Sequence, residues 1–356
     1  VEKKLGVALV GCGSVARWKY AENLRRMEGV SLRAFYGGQA EEFRRTYGDC
    51  GAAACASLAE LLARPDVDAV CVCTPNSAHA PVALAALRAG KHVLCEKPMA
   101  TSLADGEAMV QAARRSGVLL TVGHQARFLP AAQALHAEIR QGALGEIEFV
   151  RASMLRRLGI PTWGHFFDPA VQGGGCLMDL GTHAIDLALW LAGSFDAAYC
   201  SCGAFRGPAD LPSSANRYGV WDPAALRVET SAFGQIVLSS GTVVSVDTSW
   251  ALHIPADAEN RTLLCGTRGG AELTEGGYTR VATTPDALRT EFVSVPGDED
   301  AANRAQLENF LRAIRTGGTP LVGAEESLAV LRILLGLYRS ARERRPVDLK
   351  EESDHA

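Results

Sequence analysis

The sequence predicts an α/β protein in two parts: a doubly wound parallel sheet, then an α+β unit built on a large, mostly antiparallel open sheet. Three observations carry this. Over residues 1–122, short apolar runs alternate with segments of helical period, the order that right-handed βαβ crossovers produce. The apolar runs, such as Val70-Cys71-Val72-Cys73, show no polar alternation, as expected of strands covered on both faces. From about residue 197 to 295 most segments alternate with period two and are punctuated by glycine turns. A chain of 356 residues also exceeds what one hydrophobic core usually organises.

In chain order, the first part reads as strands at 5–10, 30–35, 68–73, 92–95 and 118–122. Helices fall between them at 14–27, 40–47, 57–63, 78–89 and 102–116. The second part opens with a helix at 131–141 that stops at Gly142, then a strand at 147–154. A glycine run at Gly173, Gly174 and Gly175 leads into a helix at 176–192. Strands are expected at 197–205, 228–239, 242–251, 261–265 and 271–273, with turns at Ser240-Gly241, Gly269-Gly270 and Gly276-Gly277. Helices at 303–316 and 324–342 close the chain. Residues 206–227 form an irregular loop of a length that often serves function. The domains are therefore expected at 1–122 and 123–356.

Composition narrows the function classes. Hydrophobic residues at 47% and charged residues at 21% are ordinary for a globular fold. A net charge of −4 gives no footprint for nucleic acid or an anionic membrane. No apolar stretch reaches the ~18–20 residues of a membrane span. The first strand begins at Leu5, so no signal peptide is expected. Ten cysteines lie mostly in apolar runs, and the pairs Cys71/Cys73 and Cys200/Cys202 lack zinc-site spacing. They read as reduced thiols of a cytoplasmic protein. Only six of 36 basic residues are lysine: Lys3, Lys4, Lys19, Lys91, Lys97 and Lys350. Where an interior lysine persists in so arginine-rich a chain, arginine's bulkier fork is a poor replacement in some cases. Of the three interior lysines, Lys97 alone falls in a motif.

Gly11-Cys12-Gly13-Ser14-Val15-Ala16 joins the first strand to the first helix in the G-x-G-x-x-A pattern. The first glycine permits the turn, the second admits a pyrophosphate, and Ala16 keeps helix and strand close. The helix N-terminus then holds the anion, which makes this half an N-terminal Rossmann domain. The acid that usually holds the adenosine ribose is missing, because Gly37 stands at its place on the second strand. Arg17, Arg44 and Arg45 are the cations nearby in sequence, so NAD and NADP both stay open as cofactor. Thr74-Pro75-Asn76-Ser77-Ala78-His79 and Glu96-Lys97-Pro98 follow the ends of two central strands, where such sheets bind ligands. Thr74, Pro75, Asn76, His79, Glu96 and Lys97 thereby join the glycine loop and Gly37 as candidate cofactor contacts.

Asp179 and His183 stand four apart on the expected helix 176–192, which puts them on one face, with Asp186 near it. A carboxylate beside an imidazole suits general acid–base work near neutral pH. A local salt link is the plainer alternative. No third ligand supports a metal site, so no metal is expected. The neighbouring glycines would let another group approach the backbone closely.

Taken in order, these motifs resemble the Gfo/Idh/MocA family, which includes glucose–fructose oxidoreductase and inositol dehydrogenase. Gly123-His124-Gln125-Ala126-Arg127-Phe128, the Gly266-Thr267-Arg268-Gly269-Gly270 strand end and the closing Asn309-Phe310 segment are also similar to it. The resemblance implies hydride transfer between a nicotinamide cofactor and a secondary alcohol of a sugar or cyclitol. It makes Lys97, Asp179 and His183 the catalytic candidates, with His183 as base. It also implies a homo-oligomer formed through the C-terminal sheet. The stretch from Arg156 to Phe167 resembles members acting on pyranosides. Arg127, Trp163 and His165 are candidates for the substrate wall, aromatic faces suiting the apolar side of a pyranose. Inositol or dihydrodiol oxidation is an alternative, as is a nucleotide-binding sensor without chemistry.

Overall fold

The computed structural model describes residues 4–350. The described residues divide into two compact units, 4–125 with 299–328, and 126–298 with 329–350.

The first unit carries β1 (Leu5–Cys12), β2 (Val30–Gly38), β3 (Ala53–Ala54), β4 (Ala69–Val72), β5 (His92–Cys95) and β6 (Leu120–Val122). They form one parallel sheet in the order β3-β2-β1-β4-β5-β6. The order reverses at β1/β4, so the carboxyl ends of these strands flank the crevice where such sheets take ligands. The unit departs from a single cut after residue 122. The helix Glu299–Thr316, expected in the second domain, buries Leu307, Phe310 and Leu311 in the same core as Val7, Tyr20, Leu24 and Leu32. Gln306 donates to the Val122 carbonyl at 3.1 Å, and Arg315 to that of Gly29 at 2.9 Å. Sequence distance hides such a return, because a helical period does not say which sheet its apolar face will meet. Lys91, assigned no motif, donates to the Arg64 and Val67 carbonyls at 3.0 and 2.8 Å, which closes the turn after the helix Leu58–Ala63.

The second unit carries β7 (Ile147–Arg156), β8 (Ala197–Phe205), β9 (Ser231–Leu238), β10 (Val243–Ser249), β11 (Ala258–Gly266), β12 (Gly269–Thr274), β13 (Gly277–Thr284), β14 (Ala287–Ser294) and β15 (Val347–Asp348). Their order is β14-β13-β12-β11-β7-β10-β9-β8-β15, antiparallel except at β7/β10. β13 and β14 extend the sheet beyond the strands read from sequence. Nearly all of β14 is exposed, so it lacks the apolar alternation that would reveal it. The helix Thr182–Ala192 packs on β7 and β10, and most of its residues are buried.

Candidate active site

The loop after β1 has the shape its glycines predict. Gly11 has φ +91°, and a Cβ there would lie 2.6 Å from the Cys73 and Thr74 backbone. A Cβ on Gly13 would meet nothing within 4 Å, so the backbone stays open to a ligand. Ala16 is buried, and the helix opens at Ser14 directly after Gly13, which has no side chain to cap it, so the first-turn N–H groups ahead of Arg17 are left for an anion. The Cys12 side chain points inward to the Leu9 and Tyr36 carbonyls, so only its backbone serves the loop. Gly37 has φ +77° and Gly38 φ +57°, where an acidic residue would be strained. The missing ribose acid thus has a backbone cause. Arg17 lies over the Phe43 ring and pairs with Glu42 at 2.7 Å.

After β4, the Thr74 hydroxyl is buried with no hydrogen-bond partner, an orphan that a ligand's polar group would satisfy. His79 is a different matter from the cofactor contact expected of it. Its ring is buried between two strand-end loops, with Nδ1 2.7 Å from the Pro98 carbonyl and Nε2 2.9 Å from that of Thr74, and the single N–H of the neutral ring donates to one of them. Burial pushes its pKa down.

Glu96 also turns inward. Its carboxylate accepts Lys19 Nζ at 2.6 Å and the Tyr20 hydroxyl at 2.5 Å, and its other oxygen accepts the Lys97 N–H at 3.2 Å. Burial would raise its pKa, but the Lys19 charge and these hydrogen bonds outweigh that and hold the carboxyl below its usual range. Lys97 is the one residue of 93–100 that is not buried.

In the second unit, Asp179 and His183 alone are not buried over residues 174–191. A π-helical turn, Leu177–Gly181, carries Asp179, and the α-helix from Thr182 carries His183. The buried Trp250 indole donates to Asp179 Oδ2 at 3.0 Å. The helix start is held by Glu229, whose carboxylate accepts the Gly175 and Leu177 N–H groups at 3.0 Å, while the Tyr338 hydroxyl accepts that of Met178 at 2.9 Å. The glycine run is explained here: a Cβ on Gly174 would lie 2.1 Å from the Tyr338 hydroxyl, and one on Gly175 2.0 Å from the Glu229 carbonyl. The group that approaches this backbone is the protein itself. Neither Trp250 nor Glu229 carries a motif that would have singled it out.

Arg127 and Asp186 are corrected. Both are wholly buried and paired two-fold, Nε to Oδ2 at 2.9 Å and Nη2 to Oδ1 at 2.6 Å, with the guanidinium 4.9 Å from the Phe195 ring centroid. Arg127 is therefore no wall for a substrate, and Asp186 is a buried partner of Arg127 where Asp179 and His183 stay partly exposed. Trp163 and His165 are exposed and line a cavity of about 250 Å³ with Phe166, Phe167 and Arg227. Trp163 packs edge-on against Tyr218 and Phe166, and Phe166 against Trp250, so aromatic rings run from the surface to the Asp179 partner. The loop 206–227 supports this segment: Asn216 accepts the Ile160 N–H and donates to the Ile160 carbonyl, both at 2.9 Å.

The parallel sheet and its open glycine loop define a dinucleotide-binding oxidoreductase class. Residues 5–124 match the model of the oxidoreductase family with an NAD-binding Rossmann fold, and 132–272 match the GFO/IDH/MocA C-terminal domain. D-glucoside 3-dehydrogenase of Escherichia coli (strain K12) is 30% identical over 348 residues, 97% of each chain. Myo-inositol 2-dehydrogenase of Thermotoga maritima is 24% identical over 97% of this chain and 98% of its own. The crystal structure of aldose-aldose oxidoreductase from Caulobacter crescentus, complexed with glycerol, superposes with a TM-score of 0.79 at 29% identity, covering 97% of this chain and 99% of that one. The chain belongs to the Gfo/Idh/MocA family of NAD(P)-dependent oxidoreductases.

Proposed function

We propose that the chain transfers hydride between NAD or NADP and a ring secondary alcohol or ketone of a sugar, glycoside or cyclitol. The observation that carries this is the exposure pattern. Asp179 and His183 are the two residues left uncovered on an otherwise buried helix segment, and Lys97 is the one left uncovered at the end of its strand. The names of the relatives, sugar and inositol dehydrogenases, support the substrate class.

The glycine loop from Gly11 to Ala16, the Thr74 hydroxyl and the Pro75-Asn76 turn would hold the cofactor, whose nicotinamide accepts or donates the hydride. The accompanying proton falls to the protein. His183 takes it from the ring hydroxyl as general base. Lys97 donates a hydrogen bond to the same oxygen and stabilises the charge that develops on it. Asp179, held by the Trp250 indole, orients His183 or grips a neighbouring hydroxyl. Trp163 and His165 supply an aromatic and a polar face suited to a pyranose.

The test is to incubate the protein with NAD or NADP and a panel of pyranosides, free aldoses and inositols, following the absorbance of reduced nicotinamide. Turnover on ring alcohols is expected with pyranosides foremost. Cofactor binding without turnover on any panel member would favour a nucleotide-binding sensor instead.

The protein is further proposed to form a homo-oligomer through the open sheet, supported by apolar side chains exposed towards both of its ends, Tyr199 and Phe205 on β8 and Leu288 and Phe292 on β14. A monomeric mass by light scattering would retire that reading. Among the described residues no helix is long and apolar enough to cross a membrane. Ten free thiols support a reducing compartment, the cytoplasm.

A further inference from the structure

Lys19 is one of six lysines in the chain, and it is buried. It sits on the π-helical turn Ala16–Ala21, directly after the glycine loop. Turns of this kind interrupt α-helices frequently at functional sites. Here the turn directs Lys19 and Tyr20 to one carboxylate, Glu96, whose side chain is 9% exposed. Lys19 also donates to Gln125 Oε1 at 3.2 Å. The surroundings are tight: a Cβ on Gly123 would lie 3.2 Å from the Glu96 carboxyl.

Glu96 is the residue before Lys97 and accepts its backbone N–H. It also lies within electrostatic range of the Lys97 side chain. A buried carboxylate demands a counter-charge, and two ammonium groups are at hand.

We propose that Lys19 is a positioning residue for Lys97: by neutralising Glu96 it keeps that carboxylate from drawing in the Lys97 ammonium, which stays directed to the reacting oxygen. Tyr20 fixes the carboxylate's orientation through the same oxygen that Lys19 holds. A lysine serves better than an arginine in this place, because a compact ammonium fits beside one oxygen where a planar fork would need two. This inference rests on the reading of Lys97 as a group that acts on the substrate.

The experiment compares Lys19→Met, Glu96→Gln, the double variant and Lys97→Met. In Lys19→Met, kcat is expected to fall roughly 10–100-fold, the effect of misplacing one reacting group. KM for the sugar and the dissociation constant of NAD or NADP, measured by calorimetry, should stay within about twofold. The double variant removes the charge that captures Lys97 and should recover most of the lost kcat, because the Gln amide can keep its oxygen on the Lys97 N–H while its NH2 group donates to the Tyr20 hydroxyl oxygen. Should Lys19→Met fail to fold, the neutral double variant carries the test: kcat near wild type supports the proposal, and kcat as low as that of Lys97→Met overturns it. Lys19→Met at full kcat with Lys97→Met inactive overturns this inference alone. Lys97→Met at full kcat removes the role of Lys97, and this inference with it.

Discussion

Lys97→Met is expected to lower kcat by about 10²–10³-fold, the usual effect of deleting a donor that meets developing oxyanion charge. Methionine keeps the unbranched length of the side chain and removes only the charge and the hydrogen-bond donors. Glu96 keeps Lys19 and Tyr20 as partners, so the strand end should hold its shape. The glycine loop, the helix start at Ser14 and the Thr74 hydroxyl are untouched, so NAD or NADP should bind as before. Stopped turnover in titrations that still show full cofactor affinity is the expected pairing. A variant that turns over at the wild-type rate removes Lys97 from the mechanism. A variant that loses cofactor affinity with its turnover makes Lys97 a binding residue instead.

Arg127→Met is expected to destabilise the second unit by about 3–5 kcal/mol, because it leaves the wholly buried Asp186 carboxylate without its guanidinium. For a unit of this size that corresponds to a fall in melting temperature of roughly 10 °C. The double change Arg127→Met/Asp186→Leu should recover much of the loss, since a buried pair replaced by apolar groups costs far less than one broken in half. Calorimetry of the three variants measures this directly. The same experiment decides between wall and strut for Arg127. A substrate contact would raise KM and leave the melting temperature alone; a strut would do the reverse. An unchanged melting temperature in Arg127→Met would restore Arg127 as a candidate substrate contact.

Much of the fold was legible because its signals are local. Five of the six strands of the first unit announce themselves as apolar runs, the two-residue edge strand β3 being too short to show one, and β5 and the helix Ala40–Tyr47 fall on the residues their periods indicate. Gly11 had to be glycine for a turn that sequence alone implies, and the structure supplies the neighbouring Cys73 backbone as the reason. The hairpin of β13 and β14 was not legible, because β14 is almost wholly exposed and β13 is buried only at its first two residues, so neither carries a periodic burial pattern. The return of the helix Glu299–Thr316 to the first unit was not legible either, because it depends on which apolar face it meets.

The candidate site shows the same division. Sequence by itself determined the positions at which chemistry is available: the open glycine loop, Lys97 at a strand end, Asp179 and His183 one helical turn apart. These follow from backbone conformation and short spacing, which neighbouring residues set. Tertiary structure alone decided what each charged group faces. It turned Arg127 and Asp186 inward to each other, set the buried His79 ring between two carbonyls, and set Trp250 on Asp179 from the end of β10. It also moved Lys19 from an unassigned lysine to the partner of Glu96. The physical reason is that a buried charge must find its partner in space, and pairs 59, 71 and 77 residues apart leave no trace in the local pattern.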